Sequence, residues 1–188
     1  MKAVLPVRLP NASYRSREYL TLAEVNQLIE VAGDRGRHPL RDRSLILMMF
    51  RHGLRAGEVE LLRWDSVLGD AIVISRLKRG KSSIHPLLDD EQQMLNQFPR
   101  SGDHIFTGER GSPLGPGAIE KIIQRAAEVA HLPIKVLPHM LRHSCSYHLA
   151  NQGADTRAIQ DYLGHRSIQH TVRYTELASD RFRSFAWK

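Results

Sequence analysis

A single cysteine, Cys145, stands among 188 residues, so no internal disulfide framework can form and a cysteine-rich zinc site is excluded within one chain. That usage suits a reducing cytosol. No apolar run approaches the roughly 20 residues that a bilayer-crossing helix needs, and the opening MKAVLPVRLPNASYR breaks at prolines before a signal-peptide core develops. The sequence therefore points to a cytoplasmic chain with no membrane partner. Aromatic residues make up only 6%, which leaves few platforms for stacking single-stranded bases. No internal repeat or low-complexity tract is present. Acidic side chains are short as well: 20 Asp and Glu face 27 Lys and Arg, giving +7 at neutral pH and an isoelectric point near 9.9. Such a balance favours a polyanionic partner, nucleic acid or an acidic membrane surface.

What the chain does have is enough apolar residue, 41%, for one packed domain. Residues 1–18, with Lys2, Arg8, Arg15, Arg17 and two prolines, read as an irregular basic arm. Thr21 and Glu24 form a capping box, and Val25, Leu28, Ile29 and Ala32 mark one face of a helix running to about Gly33. From Pro39 to His52 the run LILMMF is apolar all round the helical wheel, which predicts a central buried helix closed by Gly53. A short turn follows at Glu58 to Leu62. AIVIS and SSIHPL flank the tip RLKRGK and predict a hairpin turning at Gly80. Further helices are predicted from Asp89 to Phe98, around Ile119 to Ala126, from Pro138 to about Gly153, and from Asp155 to Gly164. The expected fold class is mainly α with a small antiparallel β-sheet or hairpin.

Several stretches carry chemistry. In LPHMLRHS, His139 and Arg142 lie three apart on a helix's first turn, on one face, where free amides favour an anion. Taken alone, that spacing does not distinguish a phosphate site from an ordinary helix surface. In HGLRAGEVELL, Arg55 emerges beside a glycine and Glu58 follows at a distance suited to orienting it, or to forming a surface ion pair. The hairpin tip adds Lys78, Arg79 and Lys81, a finger that fits a nucleic-acid backbone or a solvated turn. Near the end, LGHRSIQHTVRYTEL holds His165 and, nine residues on, Tyr174.

In combination these residues, in the order Arg, Lys, His-x-x-Arg, His, Tyr, resemble the active-site series of the tyrosine recombinases, the lambda integrase family. The likeness runs from Tyr19 to about Leu177 and rests on GLRAGEV, PHMLRHS, YLGHRSI and Tyr174. It is closer still to the short fimbrial phase-variation recombinases of enteric bacteria, through RLKRGKSSIHPL, PHMLRHSCSYHLANQGADTRAIQDYLGH and HTVRYT. The resemblance implies a recombinase catalytic-domain fold over 19–188, without the separate core-binding domain common in the larger family.

The same resemblance implies a mechanism. Tyr174 is the expected nucleophile toward a DNA phosphodiester, giving a 3′-phosphotyrosyl enzyme and a free 5′-hydroxyl. Arg55 and Arg142 are expected to clamp the non-bridging oxygens. Lys78 is expected to protonate the departing oxygen, with Lys81 the second choice. His139 is expected as the general base or hydrogen-bond partner of the tyrosine, and His165 as a donor to the phosphate. Glu58 is expected to support the arginines, and Arg76, Arg79, Lys81 and Arg166 to contact DNA. Neither metal nor cofactor is required, since the chain supplies its own cations. The implied partners are double-stranded DNA bearing inverted repeats, a homotetramer on synapsed sites (monomer or dimer without DNA) with the tail ASDRFRSFAWK either exchanged between neighbours or packed on its own domain, and accessory DNA-bending proteins. The implied outcome is inversion of a promoter-bearing segment by a nucleoid-associated enzyme.

Two other classes compete. A metalloprotein reading pairs His139 with His143, completed by His131, His148, His165 or His170, though HExxH and an acidic ligand cluster are missing. A non-catalytic DNA-binding regulator would keep the frame but is expected to have lost part of the residue series.

Overall fold

The computed structural model describes residues 17–34, 36–77 and 80–177. Most of the basic arm, the tip residues Lys78 and Arg79, and the tail 178–188 lie outside them. Eight helices and three strands order the described residues. α1 (Leu22–Asp34) opens on the expected box: the Thr21 amide donates to Glu24 Oε2 at 2.8 Å and the Glu24 amide to Thr21 Oγ1 at 3.3 Å. Its buried face is the expected one, Val25, Leu28, Ile29 and Ala32. It lies against α2 (Pro39–Arg51), in which every residue from Ser44 to Phe50 is buried. A helix apolar on all sides can only be satisfied at the centre of the domain, and α2 meets α6 (Pro138–Asn151) on its far side.

α3 is the single turn Ala56–Glu60, and a 3₁₀ turn, Trp64–Ser66, leads into the sheet. β1 (Val67–Leu68), β2 (Ala71–Ile74) and β3 (Ser83–Pro86) form an antiparallel sheet in the order β1-β2-β3. The expected hairpin is β2 with β3, Ile72 opposite His85. β1 is an addition; at two residues it is too short for an alternating pattern to announce it. α4 (Asp89–Asn96) and the amphipathic α5 (Pro116–Val129) complete the shell, and α7 (Thr156–Leu163) and α8 (Gln169–Leu177) pack on each other and on α6. Asp155 caps α7 by accepting from the amides of Arg157 and Ala158 at 2.9 and 3.0 Å, and Gly164 closes it in the left-handed region, φ 65°.

The hairpin is fixed to the helices by a buried polar chain. Glu91 Oε1 meets His52 Nε2 at 3.1 Å, His52 Nδ1 meets His85 Nδ1 at 3.2 Å, and His85 Nε2 meets the Tyr162 carbonyl at 3.0 Å. The His85 ring also stacks on Tyr162, centroids 3.7 Å apart. Polar groups this deep are held in place by one another, because each would lose its hydration unanswered if a partner moved away. The chain thus sets the hairpin relative to the end of α2 and to α7, three of the segments that border the site.

Candidate active site

Arg55 sits where α2 has ended and α3 begins. Its amide donates to Glu58 Oε2 at 3.0 Å and its guanidinium to Glu58 Oε1 at 2.6 Å. Glu58 is 1% exposed, so its charge must be answered within the protein. Three cations answer it: Arg55, Arg76 through Nη1 at 2.9 Å, and Arg142, whose Nη1 lies 3.8 Å away. Burial pushes the Glu58 carboxyl upward, but the Arg55 amide and the charges of Arg76, Arg142 and Arg55 outweigh it and hold the group below the usual carboxylate range.

Arg76 departs from the sequence expectation. Instead of facing DNA it is buried, its side chain fully covered, donating to the carbonyls of His52 at 2.9 Å, Gly53 at 3.3 Å and Tyr162 at 2.7 Å as well as to Glu58. It leaves β2 toward the interior and joins the hairpin root to α2 and α7. Lys81 and Arg166 are exposed, as a backbone contact requires.

Arg142, on the first turns of α6, is 5% exposed and donates to the carbonyls of Gly53 at 2.5 Å and Leu163 at 2.7 Å. Burial, with the charges of Arg55 and Arg76, pushes its guanidinium down to about 9. Three guanidinium groups share one carboxylate, so the cluster holds surplus positive charge in a weakly hydrated place, which is what a single bound anion relieves. Two glycines make the closeness possible. A Cβ on Gly53, φ +57°, would stand 2.5 Å from Leu163 Cδ2, and one on Gly164 would stand 2.6 Å from both Arg76 Cγ and the Lys81 carbonyl.

His165 follows Gly164, half-buried, with Nδ1 2.9 Å from Thr171 Oγ1. Burial, then the charges of Arg142 and Arg55, His170 and Arg76, depress it to about 3. It is therefore a neutral imidazole at ordinary pH, and when the Thr171 hydroxyl donates to Nδ1 the ring's proton sits on Nε2, free to be donated. Thr171, 0% exposed, is a supporting residue the sequence reading did not single out.

Tyr174 lies inside α8 and is 7% exposed. Burial raises the phenol, and Arg173, Arg142 and Ser146 act against that rise. Its hydroxyl contacts His143 Nδ1 and accepts from Arg173 Nη2 at 3.0 Å. His139, the expected partner, stands one turn before His143 on the same face of α6, the two rings edge to face at 5.5 Å. Lys78 and Arg79 fall outside the described residues. Arg55, Glu58, Arg76 and Arg142 thus form one ion cluster, with His165 in its field and Tyr174 sensing Arg142. Among the described residues no three His, Cys, Asp or Glu side chains gather to hold a metal ion, and no helix is long and apolar enough to cross a membrane.

The buried histidines give stability a definite pH dependence. Unfolded, His85 and His165 take up protons as pH falls through about 6.5; folded, each does so only near 3. Between those values the unfolded state binds more protons, so stability declines as pH falls. Urea unfolding at pH 7 and pH 5 is expected to give a lower midpoint at pH 5. Equal midpoints would contradict the burial of both rings as neutral groups.

Comparison with known proteins identifies the family. The profile of the phage integrase family matches residues 18–181. The type 1 fimbriae regulatory protein FimB of Escherichia coli K12 is 41% identical over 181 residues, covering 91% of this chain and 90% of FimB. FimE of the same strain is 42% identical over 177 residues, covering 88% and 89%. The crystal structure of the XerA recombinase superposes with a TM-score of 0.75 at 26% identity, over 94% of this chain and 67% of that one.

Proposed function

Because the chain belongs to the phage integrase family, the site-specific tyrosine recombinases, we propose that its arginine cluster and Tyr174 act together on one phosphodiester of double-stranded DNA. The observation that carries the reading is the buried Glu58, which holds Arg55 and Arg142 as a surplus-charge pocket within the electrostatic reach of the Tyr174 hydroxyl. A phosphodiester entering it takes Arg55 and Arg142 on its two non-bridging oxygens, where their forked donors answer the charge that builds up as phosphorus becomes five-coordinate. His165 donates to the same phosphate as a neutral imidazole. His139 supports the tyrosine's proton transfer or the phosphate from α6, and Glu58 and Arg76 keep the arginines aimed.

Tyr174 attacks phosphorus, the bond to the 5′-oxygen breaks, and Lys78, with Lys81 as the second choice, supplies the proton that oxygen needs. The 3′-phosphotyrosyl link keeps the bond energy of the phosphodiester. A 5′-hydroxyl from another strand can therefore reverse the step without ATP.

The likeness to FimB and FimE, both named type 1 fimbriae regulatory proteins, supports a role in switching fimbrial genes. The substrate and assembly of this reading are inverted-repeat sites flanking a promoter-bearing segment, inverted by a homotetramer in the cytoplasm with DNA-bending accessory proteins. The test is incubation with duplexes carrying each candidate repeat, nicked beside the cleavage position so that the departing strand diffuses away. A covalent protein–DNA adduct is expected. Tight binding with no adduct on any nicked repeat would favour a non-catalytic regulator instead.

A further inference from the structure

His143 was not among the residues expected to act, yet it holds the oxygen on which the reaction depends. Three observations bear on it. The Tyr174 hydroxyl contacts His143 Nδ1. Arg173 Nη2 lies 3.1 Å from that same Nδ1 and 3.0 Å from the hydroxyl oxygen. Arg173 is itself tied to Glu18 at 3.4 Å, and its guanidinium carbon stands 4.9 Å above the Tyr174 ring.

A proton inventory follows from these contacts. A guanidinium has donors and no acceptor. With Arg173 donating to the hydroxyl oxygen, the arrangement that lets the phenol release its proton is the one in which His143 Nδ1 offers its lone pair to the hydroxyl and the ring's proton is on Nε2. In that tautomer the hydroxyl is the donor, with its hydrogen directed at Nδ1. Its oxygen meanwhile accepts from Arg173. A phenol in this setting has its proton aimed at a neutral base and a fixed cation beside the oxygen where negative charge appears when the proton leaves. Burial makes that help necessary, since it raises the phenol further from ionisation. His139 meets the edge of the His143 ring at 5.5 Å, so the two imidazoles are placed as separate groups, one on the hydroxyl and one a turn nearer the start of α6.

We infer that His143 is a catalytic residue, the proton acceptor for Tyr174, with Arg173 stabilising the phenolate. The inference rests on Tyr174 being the nucleophile. In the step, the proton passes from the hydroxyl to Nδ1, making an imidazolium. The Tyr174 oxygen bonds to phosphorus, the bond to the 5′-oxygen breaks, and the lysine described above protonates that oxygen. Rejoining runs the same transfers backward, with His143 returning the proton.

The test uses the full chain on two nicked duplexes, one with the natural 5′-oxygen leaving group and one with sulfur in its place, which leaves without protonation. His143→Ala is expected to slow adduct formation about 100-fold at pH 7. The loss is expected to be equal on both substrates and to narrow as pH rises and the phenol ionises unaided. His143→Gln, which keeps an acceptor without basicity, is expected to remain slow and carries the test if the alanine variant does not fold.

Rescue by sulfur would instead make His143 an acid for the leaving group. Full rate in His143→Gln with a slow His143→Ala would make it a positioning residue, and an unchanged or faster rate in His143→Ala would make the contact a resting place for the tyrosine. Each of these results overturns the inference while leaving Tyr174 as nucleophile. Absence of adduct from the unaltered chain on both substrates would sink the underlying reading.

Discussion

Tyr174→Phe is expected to bind duplex DNA with little loss of affinity and to form no covalent adduct. The substitution deletes one oxygen. The ring stays buried between α6 and α8, so the packing of α8 survives, and the lost contacts to His143 and Arg173 cost about 1 kcal/mol of stability. The arginine cluster that would hold the phosphate contains no atom of Tyr174, which is why binding and chemistry separate in this variant. Gel retardation reports the first and denaturing electrophoresis on a nicked duplex the second. An adduct from Tyr174→Phe at the level of the unaltered chain would reassign the nucleophile.

Glu58→Ala is expected to be among the most damaging single changes to the fold. It leaves Arg76, whose side chain is fully covered, and Arg142, almost as deep, without their counter-charge, and it frees the Arg55 and Leu77 amides that the carboxylate accepts from. Breaking a buried ion pair from one side costs about 3–5 kcal/mol, because the remaining charge stays buried and unanswered; for a chain of this size that corresponds to a fall of roughly 10 °C in melting temperature. Glu58→Gln separates charge from shape. It keeps an acceptor for the two amides but removes the negative charge, so it is expected to recover only part of the loss in urea unfolding. A cost under 1 kcal/mol for the alanine variant would show that the cluster does not hold the site together.

Much of this arrangement is legible in the sequence. The apolar wheel of LILMMF placed α2 at the centre, and Thr21 with Glu24, Asp155 and Gly164 marked helix ends, because local spacing carries those signals. Arg55, Glu58, Arg142, His165 and Tyr174 stood out by type and order. Arg76 reads as a DNA contact for a physical reason. A cation at the root of a basic hairpin reads as solvated unless one knows that Glu58, eighteen positions earlier, is buried and short of counter-charge, and that is a property of the folded chain. Val59, Leu61 and Leu62 beside Glu58 were the available hint. In the sequence His143 stands out only as half of a metal pair with His139. Its spacing put both on one face of α6, but which of the two meets Tyr174 depends on where α8 docks, and no local pattern encodes that. β1 and the Glu91–His52–His85 chain escaped for the same cause, being fixed by contacts between distant segments.

The account turns on one bond between Tyr174 and DNA. The most direct measurement is digestion of the trapped adduct and mass spectrometry of the nucleotide-bearing peptide. A nucleotide joined through its 3′-phosphate to Tyr174 is the predicted result. The same mass on Tyr19, Tyr147 or Tyr162, or a nucleotide joined through its 5′-phosphate, would contradict it.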